Sequence, residues 1–254
     1  MATERQKKRK ELREKRLQAE AKGKGDEKRQ NMLKALAAIG FIAVVGVVVA
    51  VVAISSGGGS GDSAKSGDEI DKLLAGIPQK GTVLGEPSAK VTLVEFGDMQ
   101  CPACKEFANT GAPEVIKGPV RSGKAKFEFR QWPILGPDSS TAAFAALAAA
   151  EQGRYWQYLE NFYANQGIEG TGYVTDDFLK TIAEDAGVPD LDKWEKDRFD
   201  TNLEDELLNN EDEAANLGFT GTPSFAIQKG NGELEPIQFQ GDAKELIKAI
   251  DQAN

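Results

Sequence analysis

Both cysteines of the 254-residue chain fall within one tetrapeptide, Cys101-Pro102-Ala103-Cys104. Two thiols at that spacing stand one helical turn apart, so dithiol and disulfide can interconvert with little backbone movement. A structural cross-link stabilises most when it closes a long loop, and a bridge here closes almost nothing. The spacing therefore points to redox exchange. Zinc is the competing chemistry for a CxxC, but a tetrahedral site needs four ligands. The chain has no second cysteine pair and no histidine, so only carboxylates or a second copy could complete such a site, and no metal is expected. Two inert buried thiols are the remaining alternative, yet inert thiols have no use for a Pro-Ala bracket between a strand and a helix.

The flanking residues supply that bracket's setting. Residues 91–96 (VTLVEF) form a short apolar, β-branched run that reads as a buried strand. Pro102 suits the first turn of a helix, where its missing N–H costs nothing, and good helix formers follow to about residue 117. Cys101 is thus placed at a helix N-terminus, where unpaired amides and the helix dipole favour an anion and lower a thiol pKa from about 8.5. Cys104 lies one turn in and fits the resolving thiol. Downstream, residues 127–132 alternate aromatic and polar residues as a second strand, ended by Pro133. Residues 139–217 read as a long helical block, with Thr175-Asp176-Asp177 as one cap signal. Residues 222–227 and 236–239 read as third and fourth strands across a Gly230-Asn231-Gly232 turn, and 244–250 as a closing helix.

The N-terminal part sets the compartment. Residues 33–54 are apolar except for Lys34, and at about 1.5 Å per residue a helix of that length crosses a core of about 30 Å. Residues 1–34 hold thirteen Lys or Arg against six Asp or Glu, a net of +7, which leaves −16 for the remainder. The positive-inside rule then keeps a basic arm (1–32) cytoplasmic and exports the acidic part behind a single transmembrane anchor (33–54). A cleaved signal peptide is the alternative, but its apolar region runs only about 7–15 residues. Residues 55–69, rich in Gly and Ser, read as a flexible linker, and 70–254 as one domain. The chain carries no histidine, GxSxG or GKS/T, so catalytic triads and phosphate-cradling loops are unsupported. The acidic exported part also argues against nucleic acid.

Strand, helix, strand, helical block, hairpin, helix is the order of an α/β thioredoxin fold with a helical insertion. Three segments, Leu84-Gly85-Glu86-Pro87-Ser88-Ala89 leading into 91–96, Cys101-Pro102-Ala103-Cys104, and Gly218-Phe219-Thr220-Gly221-Thr222-Pro223-Ser224-Phe225, resemble the DsbA-like thiol-disulfide oxidoreductases of bacterial envelopes, especially the membrane-anchored type. The likeness spans about residues 81–252. It implies that Pro223 is cis beside the dithiol and that Thr222 offers backbone hydrogen bonds to an extended client. An ordinary trans proline opening an edge strand is the reading from residues alone. It implies further that Glu95 is a buried carboxylate relaying a proton near the resolving thiol, against the plain alternative of a solvated strand-end glutamate. Many oxidising relatives carry histidine where this chain has Ala103, which implies a less oxidising site. Asp98 and Glu106 are expected to oppose the thiolate, with Lys105 partly offsetting them.

The resulting expectation is a membrane-tethered, extracytoplasmic dithiol oxidase without a cofactor. Its catalytic residues are Cys101, Cys104 and Glu95, and its client contacts Thr222 and Pro223. Reduced exported polypeptides are its clients, and a quinone-coupled membrane protein restores the disulfide. A reductase or isomerase running the chemistry backwards and a non-catalytic, chaperone-like binding module are the alternatives.

Overall fold

The computed structural model describes residues 67–254, together with Lys7, Lys10 and Glu14. The anchor expected at 33–54 and most of the linker lie outside the described residues. Among the described residues no helix is long and apolar enough to cross a membrane. Helix α1 (Gly67–Leu74) begins inside the linker drawn to residue 69. The reason is packing: Ile70, Leu73 and Leu74 are buried, so these residues join the domain.

Six strands form one sheet: β1 (Gln79–Lys80), β2 (Val83–Leu84), β3 (Val91–Gly97), β4 (Ala125–Gln131), β5 (Ser224–Lys229) and β6 (Leu234–Ile237). Their spatial order is β1-β2-β4-β3-β5-β6. β3 runs parallel to β4, with Glu95 opposite Phe129, and antiparallel to β5, with Glu95 opposite Phe225. β3 is buried along its whole length, as a central strand covered on both faces must be. β4 alternates buried and half-buried residues, as its aromatic-polar sequence requires.

Between β3 and β4 lies the active-site helix α2 (Pro102–Val115), continued by one π turn, Ile116–Val120. The sequence places the helix end at about 117. Gly118 and Pro119 in that turn are the reason regular hydrogen bonding stops earlier. The expected helical block is five helices: α3 (Pro137–Ala150), α4 (Tyr155–Ala164), α5 (Asp176–Asp185), α6 (Leu191–Asp197) and α7 (Asn202–Asn216). Thr175 caps α5, its hydroxyl accepting from the Phe178 amide at 3.2 Å. Helix α8 (Ala243–Ala253) closes the chain.

Two strands start elsewhere than the sequence suggests. β5 opens at Ser224, not 222, because Pro223 has no N–H to give the ladder. β6 lies two residues earlier than 236–239 and accommodates Pro236 at the sheet edge. On one sheet face Leu93, Phe127, Phe129 and Phe225 join a large core with Phe107 of α2 and Trp156 of α4. On the other, Val94 and Phe96 pack with Trp132 and Ala214. Each buried Leu, Val or Phe among them stabilises the fold by about 1.5–3 kcal/mol. Together they fix where β3 ends and α2 begins.

Candidate active site

Cys101 is the N-cap residue of α2, extended at φ −68° and ψ 122°, and Pro102 opens the helix. Both cysteines are free thiols. Cys101 is 7% exposed and Cys104 completely buried. Pro102 and Ala103 between them are exposed, leaving the outer sulfur approachable past small side chains.

The two thiols are electrostatically unlike. Cys101 is lowered from 9.0 to about 6, first by a hydrogen bond from the Cys104 thiol. Burial works against this, while the Thr222 hydroxyl and the amides of Cys104 and Ala103 again favour the anion. Those amides are the open N-terminal donors of α2, so the helix start supplies what its position promised. Cys104 is pushed well above the usual thiol range by burial, with the hydrogen bond it gives Cys101 and the charges of Glu95 and Cys101 adding to the effect. The arrangement holds one thiolate and one thiol.

The loop before β5 forms the opposite wall. The Thr222–Pro223 peptide is cis, as the resemblance implies. As a thiol, Cys101 donates to the Thr222 carbonyl oxygen at 3.3 Å. The structure therefore brings Thr222, Pro223, Cys101 and Cys104 together across 121 positions of sequence.

Glu95 is 3% exposed, which removes the solvated alternative. Its carboxyl is raised well above the ordinary range by burial first, then by the charges of Glu160 and Cys101. Strand phase could not have settled this, because every residue of β3 is buried.

Asp98 has a second task that the sequence does not show. Neither Asp98 nor Glu106 is among the largest influences on Cys101. Glu106 is exposed, and the Asp98 carboxylate accepts from the amides of Gln100 at 2.8 Å, Ile134 at 2.8 Å and Leu135 at 2.9 Å. Asp98 thus clamps the loop after β3 to the loop after β4. Lys105 is not aimed at the thiolate either; its amine donates to the Gln166 carbonyl at 3.1 Å.

Other positioning groups come from the insertion and were missed. The Gln166 amide donates to the carbonyls of Met99 at 2.7 Å and Cys101 at 3.2 Å, and the Tyr163 hydroxyl to that of Asp98 at 3.1 Å. Gln131 donates to Tyr155 Oη at 2.9 Å. Their partners lie 24 to 67 positions away, so no local pattern announces them. Among the described residues no acidic or sulfur cluster is suited to holding a metal.

Known proteins share this architecture. The family model described as Thioredoxin matches residues 78–251, well over half of the chain. The probable disulfide bond formation protein D of Bacillus cereus is 29% identical over 171 residues, covering 66% of this chain and 77% of its own. Crystalline BdbD of Bacillus subtilis, oxidised, aligns with a TM-score of 0.61 at 23% identity, over 68% of this chain and 92% of that one. A thioredoxin-like oxidoreductase from Silicibacter pomeroyi is 30% identical, with a TM-score of 0.56 over 72% and 96% of the two chains. With its two thiols at a helix start on this sheet, the chain belongs to the thioredoxin family as a DsbA-like thiol-disulfide oxidoreductase.

Proposed function

We propose that the domain is an extracytoplasmic dithiol oxidase that places disulfides in exported polypeptides. The asymmetry of the dithiol carries this reading. A thiolate at about 6 is a good leaving group at neutral pH, so the mixed disulfide at Cys101 resolves easily toward an oxidised client. In the forward reaction a client thiolate attacks Cys101 Sγ and Cys104 departs. A second client thiolate then attacks the client sulfur, forming the client disulfide and releasing Cys101 as thiolate. Two electrons pass from client to protein.

Cys104 is left needing a proton, since burial disfavours its anion, and we assign its donor as Glu95, whose carboxyl burial keeps protonated. Thr222 and Pro223 hold the client backbone beside Cys101, the Thr222 carbonyl being within reach of the reacting sulfur. Exported location rests on the basic arm and apolar stretch of residues 1–54, and disulfides persist there. A tether at the membrane suits reoxidation by a quinone-coupled membrane protein.

Catalysed oxidation of a reduced, unfolded substrate tests the reading. Activity disappears in Cys101→Ser; retention there assigns the groove to binding alone. In intact cells, a membrane-impermeant thiol reagent labels reduced Cys101, and protection until lysis contradicts export.

A further inference from the structure

Glu95 is not the sole carboxylate in the core beneath the dithiol. Glu160, on α4, is also 3% exposed. Its place on the helix follows from its neighbours. Trp156, one turn before it, lies 4.9 Å from the Phe127 ring, and Tyr163, one turn after, lies 6.4 Å from the Phe129 ring. Phe129 is the β4 residue opposite Glu95 in the sheet. The helix stripe of residues 156, 160 and 163 therefore crosses the strand pair at the level of Glu95. The charge of Glu160 bears on Glu95 more strongly than that of Cys101.

We propose that Glu160 shares the relay proton with Glu95, the two carboxyls forming one buried proton store beneath the dithiol, with Glu160 acting as a positioning residue for the transfer. This rests on Glu95 being the relay. Two carboxylates in one water-poor site cannot both be ionised without strong repulsion, so the pair keeps a proton in reserve. Among the described residues, the titratable groups that interact with Glu95 include Cys101 and Cys104 from α2 and Glu160, Tyr155 and Tyr163 from α4. Both tyrosines are raised far out of the neutral range, so neither competes for the proton. Gln131, opposite Gly97 and one step along the same sheet face, presents a buried side-chain oxygen with no donor among the described residues. In this proposal that oxygen receives the hydrogen bond of the protonated carboxyl. When the Cys101–Cys104 bond breaks, the Cys104 thiolate takes this proton, and the pair, now doubly ionised, draws one from solvent. Atoms and electrons balance with water as the proton source.

Titration of the Glu95 side-chain carboxyl by carbon NMR in the reduced protein tests the proposal. In Glu160→Gln the Glu95 midpoint falls by at least about one pH unit, and in Glu160→Asp it returns toward the parent value. An unmoved midpoint in Glu160→Gln overturns the role of Glu160. Where that variant does not fold, the unsubstituted protein in its disulfide form, which has no thiolate, decides: Glu95 titrates in two steps if coupled, and a single step contradicts the pair. Single-turnover reduction of oxidised Glu95→Gln by a peptide dithiol across pH tests the relay separately. Loss of the parent's pH dependence supports it, and an unchanged profile sinks the relay and this proposal with it. An altered profile there, with an unmoved midpoint in Glu160→Gln, sinks only Glu160.

Discussion

Replacing Cys104 by alanine isolates the largest contribution to the acidity of Cys101. Cys101 falls from 9.0 to about 6, and the first cause is the hydrogen bond from the Cys104 thiol. At about 1.36 kcal/mol per unit, the whole depression corresponds to at most about 4 kcal/mol, less after solvent screening. A hydrogen bond to a charged partner accounts for about 1.5–3 kcal/mol of such a shift, or about one to two pH units. Cys104→Ala is therefore expected to raise Cys101 to about 7–8. At pH 7 the thiolate fraction drops from about 90% to between about 10 and 50%, slowing iodoacetamide alkylation by about two- to ten-fold. Cys104→Ser returns a donor and restores most of the acidity. The assay is ultraviolet thiolate absorbance against pH, with alkylation rate as a second readout. Equal midpoints for the alanine and serine variants would refute the reasoning, since the helix amides alone would then hold the anion. The same shift appears in stability. Cys101 has a depressed pKa, so its contribution to the reduced protein is full above 9.0, declines as pH falls, and is gone below about 6. The disulfide form lacks this slope.

Glu95→Gln removes a carboxyl whose proton is held more tightly folded than unfolded. That penalty is absent below 4.5 and grows as pH rises, so the variant gains up to about 3 kcal/mol at pH 7 in urea unfolding and nothing in acid. Asp98→Ala strands three amides, which costs at least about 3 kcal/mol, whereas Asp98→Asn keeps one accepting oxygen and loses less. Denaturation midpoints of the two variants check this. Gly97→Ala places a Cβ 2.4 Å from Phe129 Cζ and 3.3 Å from Glu95 Oε1, displacing the ring at a cost of about 1–3 kcal/mol. Its thermal midpoint falls, and the Glu95 titration moves with it.

The dithiol was legible because its chemistry is local: spacing, Pro102 and the preceding apolar run all lie within fifteen residues. The order of the larger strands and helices followed from periodicity for the same reason. β1 and β2 were not, since two residues each carry no pattern. Glu95 could not be assigned to core or solvent, because alternation is silent in a strand buried on both faces. Asp98 was read as a charge near the thiolate, and only the loop after β4, 36 positions on, shows that its oxygens face amides instead. Tyr163 on α4 and Gln166 just after it carry no local signal, and their contacts with the loop after β3 exist only once α4 lies across the sheet.

Equilibration of the Cys101–Cys104 pair against glutathione tests the oxidase assignment most directly. The oxidising dithiol proposed here stands well above about −270 mV. A potential near or below that value contradicts it and assigns the protein to reduction.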